Sequence, residues 1–235
     1  MKKRLLLAAG MLLAAAVAAH AASLLGPAEP GAAPGKFSVG AGYFYYDDKW
    51  KDGGTFKLQQ SQTFLEGSYG LYQGMEVFLR LGGTDAKLLD GINFKDNYNV
   101  YSGIGARGVL YRFNPQFDVG STLYFDRVWS DFRQAVTRLK TPWSANFALL
   151  GQWTPYPIFV LYGGPKFFYG ASKEEVQISA NGTVSSSSRS IRTDNWVGGV
   201  VGTRFAIMGI DRLKFGIEMQ FTSRVSVGGM VSYAF

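Results

Sequence analysis

Cysteine is absent from this chain, and histidine occurs once, at position 20. The first absence excludes a disulfide framework and thiolate metal sites. The second leaves almost nothing to serve as a base near neutral pH. Proline is sparse, with eight in 235 residues. Most lie in the N-terminal lead or in turns, which keeps proline largely out of any strand ladder. Pro165 is the exception, and a bulge or local break is expected there. Long apolar runs are also missing, save one from Leu5 to Val17. It follows Lys2, Lys3 and Arg4 and precedes small residues at Ala19 and Ala21, the layout of a secretory signal peptide cleaved after Ala21. The run is short for a transmembrane helix and has no stop-transfer flank. No cysteine follows it, so a lipoprotein is not expected. His20 leaves with the signal. So do three of the 24 Lys and Arg, and 21 against 17 Asp and Glu gives a mature charge of +4. That is too mild to argue for nucleic acid.

What remains is rich in glycine, 30 residues, and in aromatics. "AASLLGPAEPGAAPG" is Pro/Gly/Ala-rich and has no period, so residues 22–35 read as a flexible lead. From Lys36 onward the period is two nearly everywhere. "KFSVGAGYFYY", "QTFLEGSYGL", "MEVFLRLGG", "SGIGARGVLY" and "FDVGSTLYFD" each alternate large apolar residues with small or polar ones. "WSANFALLGQW", "FVLYGGPKFFYG", "WVGGVVGTRFA", "LKFGIEMQFT" and "VSVGGMVSYAF" repeat the pattern. A tilted strand needs about ten residues to cross a bilayer, the length of these segments. "LYQG", "RFNPQ", "TPYP" and "AIMGID" are short connections. "DDKWKDGGTF", "GTDAKLLDGINFKDN", "RVWSDFRQAVTRLK" and the stretch 171–192 are long. Only "TSR" breaks the alternation.

Two faces follow from the parity. One carries charges along mid-strand: Glu66, Glu76, Arg80, Arg107, Asp118, Asp126, Lys166, Arg204 and Glu218, with many glycines. The other carries large apolar residues with aromatics near the strand ends. Tyr69, Phe117, Trp153 and Phe205 lie toward the short turns; Phe125, Trp143, Tyr169 and Phe221 lie toward the long loops. Small and polar residues suit the inside of a narrow barrel, and apolar ones with two aromatic girdles suit lipid. An open sheet edge cannot exist in hydrocarbon, so the sheet must close. The expected fold is all-β, a closed antiparallel up-and-down transmembrane barrel of about ten strands, with eight or twelve as alternatives. Residues 1–21 are then the signal peptide, 22–35 the lead and 36–235 the barrel.

The signal peptide, the strand period, the loop asymmetry and the terminal "VGGMVSYAF" resemble the small outer-membrane β-barrels of Gram-negative bacteria. In that superfamily a last strand ending in Phe, with apolar or aromatic residues at alternate positions, looks like the signal read by the barrel-assembly machinery. Val231, Tyr233 and Phe235 match it. "EGSYGLYQGMEVFLRLGG" is similar to a recurring hairpin of such barrels. The resemblance covers residues 36–235 and picks out no member. It implies an integral outer-membrane location with the long loops outside, neighbours that are outer-membrane lipid and lipopolysaccharide, and a monomer rather than an oligomer.

Three classes of function are weighed. Outer-membrane barrel hydrolases and acyltransferases, as families, rely on a histidine base, which the mature chain lacks, so no enzyme and no cofactor are expected. Glu66 and Glu76 could in principle do glycosidase chemistry, but luminal charges are more often a salt-bridged plug. Asp47, Asp48 and Asp52 lack the spacing of a calcium loop. The near-balance of signs in the lumen fits a paired, constricted core and a structural, surface-exposed barrel. The inward glycines leave unfilled space, which keeps a small-solute or ion channel open as the alternative. The third class is an adhesin acting through its loops. In the longest loop Asn181-Gly182 reads as a hairpin turn, with order lost near Ser185 to Ser188. "WSDFRQAVTRL" reads as a short helix capped by Ser130 or as a second extended hairpin. In it Trp129 and Phe132 are contact residues or pack against a neighbouring loop.

Overall fold

The computed structural model describes residues 23–51, 55–89, 94–134, 137–180, 183–207 and 210–235. Among these residues there are strands and no helices. In chain order they are β1 (Phe37–Lys51), β2 (Thr55–Tyr72), β3 (Met75–Leu89), β4 (Phe94–Asn114), β5 (Phe117–Val128), β6 (Phe132–Gln134), β7 (Thr137–Tyr156), β8 (Phe159–Ala180), β9 (Thr183–Thr193), β10 (Val197–Ile207), β11 (Ile210–Phe221) and β12 (Val225–Ala234). Ten form the wall, and β6 and β9 are additions beyond it. Every pairing between strands is antiparallel, and β12 meets β1 from Ala234–Ser38 to Val227–Tyr45. That seam leaves no edge unpaired in the wall, as hydrocarbon requires.

The alternation of side chains decides which solvent each face meets. Leu65, Leu79, Leu81, Ile104 and Ile217 are each more than half exposed on the outside. Their chain neighbours Glu66, Arg80 and Glu218 are buried inside. Apolar out and charged in is the reverse of a soluble sandwich and is the arrangement of a transmembrane barrel. Aromatic pairs mark both rims. Phe37–Tyr69 and Phe205–Phe215, at 4.7 and 5.6 Å between centroids, lie toward the short turns, and Trp143–Tyr169, at 5.5 Å, lies toward the long loops.

Inward glycine is abundant, but the space it leaves is not empty. A Cβ on Gly42 would stand 2.5 Å from Phe64 Cζ. Phe78 covers Gly105, Tyr124 covers Gly103, Tyr162 covers Gly202 and Phe44 covers Gly228 in the same way. Rings laid across strand glycines restore the packing a Cβ would have given. The space that these inward glycines leave is taken up by rings, so at these positions the lumen is filled by side chains, as its paired charges imply.

At the long-loop end the inward residues become apolar. Trp50, Leu58, Leu88, Phe132, Leu139 and Ile191 pack into one buried cluster that caps the barrel. Leu139 joins it because the β7–β8 register shifts between Lys140 and Trp143, at Thr141 with φ 34°. The shift turns Leu139 inward on a strand where Trp143 faces out. Of the two readings of "WSDFRQAVTRL", the hairpin is found: Phe132–Leu139 to Gln134–Thr137 pair as β6 and β7. Phe132 is buried, whereas Trp129 is 62 % exposed.

β8 and β9 form the longest projection, paired from Ala171–Arg192 to Ala180–Thr183. Asn181 and Gly182 lie outside the described residues. The pairing runs through Ser185 to Ser188, where the serine run predicts a loss of order. Each of these serines sits opposite a β8 residue, so ladder hydrogen bonds stand in for a buried face. Beside Pro165 the β7–β8 pairing skips Leu149 and Leu150 and resumes in the same register at Gly151–Gly163, a local break without a bulge.

Candidate functional site: a plugged lumen

The strand register sets the luminal charges against one another. Glu66 on β2 lies directly across from Arg80 on β3, and Glu76 on β3 directly across from Arg107 on β4. The four join. Arg80 donates from Nε and Nη2 to Glu66 Oε2 at 2.8 and 2.6 Å. Arg107 donates from Nη2 to Glu66 Oε1 at 2.5 Å and from Nε to Glu76 Oε1. Two carboxylates and two guanidiniums thus neutralise each other with fewer than a tenth of their surfaces exposed. Aromatic faces complete the cage: Arg80 lies 4.5–4.9 Å from the centroids of Phe64, Phe78 and Tyr124, and Arg107 4.6 Å from Phe78. Charges removed from water are tolerated only when paired and bonded in this way.

The remaining bonds of the cage go to a segment with no place in the wall. Residues 23–32, assigned from sequence to a flexible lead, run inside the barrel. Ser23, Leu24, Leu25, Ala28 and Ala32 are at most 3 % exposed. Arg80 Nη1 donates to Ser23 Oγ at 2.8 Å and to the Leu24 carbonyl. Glu218 accepts the Leu25 and Gly26 amides at 2.9 and 2.8 Å. Glu29 receives Arg204 on its carboxylate at 2.6 Å and on its carbonyl at 2.9 Å, while its amide donates to Gln152. The Ala32 amide donates to Glu76 at 2.9 Å. At the short-turn mouth Gly35 donates to the Gly70 carbonyl at 2.8 Å, which leads the chain into β1. The reason is chemical: a peptide without internal secondary structure has free amides and carbonyls, and the lumen offers carboxylates and guanidiniums to meet them. Small residues let it fit, for Ala28 lies against Gly120, and Gly26 takes φ 74° beneath Arg107. That is a left-handed conformation suited to glycine.

The other charges singled out from sequence divide as follows. Glu218 also accepts Tyr162 Oη at 2.9 Å and Gln220 Nε2 at 2.6 Å. Lys166 donates to Gln220 Oε1 and stands 4.7 Å over Phe168, so Gln220 bridges it to Glu218. Arg204 takes its carboxylate from Glu29 of the plug and not from the wall. Asp118 lies toward the short turns with Arg112, at 2.8 Å. Asp126 is buried, with Ser144 Oγ 3.4 Å from Oδ1 and, among the described residues, no hydrogen-bond partner on Oδ2. Ser23, Glu29, Gln152, Tyr162 and Gln220 were not foreseen. The legible clue was Glu29, a lone carboxylate in a segment otherwise free of charge. Val231, Tyr233 and Phe235 face outward, and the Phe235 amide closes the seam on the Phe37 carbonyl at 3.0 Å.

No family model and no curated protein matches the chain. Its fold is similar to several solved structures at low identity. An outer membrane channel from Pseudomonas putida F1 is 11 % identical with a TM-score of 0.48, over 91 % of this chain and all of that one. The outer membrane protease OmpT from Escherichia coli is 12 % identical at 0.48, over 86 % and 97 %. The outer membrane protein OprG from Pseudomonas aeruginosa is 10 % identical at 0.45, over 86 % and 96 %.

Proposed function

We propose that this is a non-enzymatic outer-membrane barrel, closed at rest by its own N-terminal segment, that serves as a structural and surface-presenting element. The observation that carries the reading is residues 23–32 bonded along the lumen by Arg80, Arg204, Glu218 and Glu76. Two closures act in series: the plug from the short-turn side and the apolar cluster around Trp50 and Phe132 at the other. No histidine follows position 20, and the luminal carboxylates Glu66 and Glu76 are engaged by guanidiniums, so neither is free to act as an acid or base. The long loops face outward from the cell, and the assembly machinery reads the strand that ends in Phe235.

Conductance of the refolded mature chain in a planar bilayer tests the closed state. A silent membrane under applied voltage is expected. Discrete, long-lived open steps would replace this reading with that of an ion or small-solute channel. Orientation is tested by cysteines at Ser187 and Gly74: on intact cells the first is expected to label and the second not.

The projecting β8–β9 hairpin favours a second reading, binding at the surface. Ser186–Ser190 are exposed along it, and Glu174 and Arg189 tie its two strands together. Deleting residues 174–189 would abolish cell or ligand binding if the hairpin carries it.

A further inference from the structure

Around the plug, Glu66 and Glu76 are met by guanidiniums, Glu218 by amides and Glu29 by Arg204. Asp126 is different. It is 2 % exposed, and among the described residues no Lys or Arg forms an ion pair with it. Ser144 Oγ stands 3.4 Å from Oδ1, and Oδ2 has no hydrogen-bond partner there. A carboxylate taken out of water needs a cation or several donors. Tyr101 Oη and both amide atoms of Gln62 are likewise buried and unmet among the described residues. The register places these groups together. Glu66, Arg80, Gly103 and Asp126 lie opposite one another on β2 to β5. Tyr101 is the next inward residue from Gly103 toward the long loops, and Gln62 the second from Glu66. Beyond them comes the apolar cap, whose cluster also holds Leu24 of the plug. The unmet polar groups thus lie between the Arg80 cage, where the plug ends, and the cap.

The tip of the plug reaches the same place. Ser23 Oγ accepts from Arg80 Nη1 at 2.8 Å, and Arg80 lies 4.7 Å from the centroid of the Tyr124 ring. Tyr124 Oη covers Gly103, which pairs with Arg80 on one side and Asp126 on the other. One tyrosine therefore stands between the plug tip and Asp126. Hydrolysis of the Ala21–Ala22 peptide bond, the cut expected from sequence, puts a new α-ammonium one residue ahead of Ser23. One residue of chain carries that group about 5 Å from the Ser23 Cα. An ammonium brings one charge and three donors. Asp126, Tyr101 and Gln62 supply a charge and acceptors to match.

We propose that Asp126 is the receptor for the chain's own processed N-terminus, and that its ion pair with the α-ammonium locks the plug in the lumen. The inference rests on the plug reading and on cleavage after Ala21. Intact-mass and N-terminal peptide analysis of protein taken from the outer membrane locates the start, and a start other than Ala22 overturns the proposal. The folded mature chain in micelles is then treated with an amine-acylating reagent near neutral pH, and peptide mass spectrometry reads the rate at the α-amine. Heat-dependent gel mobility confirms that parent and Asp126→Asn are folded. The α-amine is expected to react far more slowly in the folded parent than in urea. Asp126→Asn is expected to speed it at least tenfold, the equivalent of one charge-assisted contact. Equal rates in the folded parent and Asp126→Asn overturn the proposal, because Asp126 is then held by a proton or by water. Hydrogen exchange at Leu25 and Gly26 in the same samples separates the two readings. Slow exchange beside a freely reactive α-amine removes the lock and leaves the plug, whereas fast exchange removes both.

Discussion

Replacing Arg80 by methionine removes a buried cation while leaving most of the volume between its rings filled. Two bonds to Glu66 are lost, together with those to Ser23 and the Leu24 carbonyl. So is the stacking on Phe64, Phe78 and Tyr124. The cage changes from two charges of each sign to one guanidinium facing two carboxylates. Breaking one partner of a buried ion pair costs about 3–5 kcal/mol, and that loss is expected here. Adding Glu66→Gln to Arg80→Met leaves Arg107 and Glu76 as a neutral pair. The double variant should therefore recover about 1–3 kcal/mol, a coupling of the size seen between contacting residues. Urea unfolding in lipid vesicles, followed by tryptophan fluorescence, reads both values. If Arg80→Met unfolds at the parent midpoint, or the two substitutions simply add, the cage is solvated and the reasoning fails.

Glu218→Gln weakens the grip on Leu25 and Gly26 by about 1.5–3 kcal/mol, because charge-assisted bonds become neutral ones. A cysteine at Ser23 should then react faster with a soluble thiol reagent than in the parent, and an unchanged rate would place Glu218 outside the plug's anchorage. Deleting Phe235 should impair assembly in cells far more than refolding in detergent. Its packing share is only about 1–3 kcal/mol, and equal loss in both assays would make it a packing residue alone.

The wall was legible because its rule is local. Parity assigned Glu66, Arg80 and Glu218 to one face and Leu65, Leu79 and Ile217 to the other, and the structure keeps that division. The closed ten-stranded order follows from the same alternation. Three features escaped. Leu139 joins the apolar cap through a register shift at Thr141 that reverses parity, and nothing in the period of β7 announces it. The inward glycines looked like empty space, since which ring covers which glycine is a cross-strand property set by register. The plug escaped for the deepest reason. Its conformation is dictated by partners such as Glu218, 192 residues away along the chain from Gly26, and by no period of its own. Composition alone made the segment look flexible.

Hydrogen exchange of the folded mature chain in micelles tests the plug most directly. The Leu25, Gly26, Glu29 and Ala32 amides donate to Glu218, Gln152 and Glu76 inside the barrel. Their exchange is expected to be as slow as that of the wall strands, and to quicken at Leu25 and Gly26 in Glu218→Gln. Exchange of all four at the rate of an unstructured peptide would contradict a lumen closed by its own N-terminal segment.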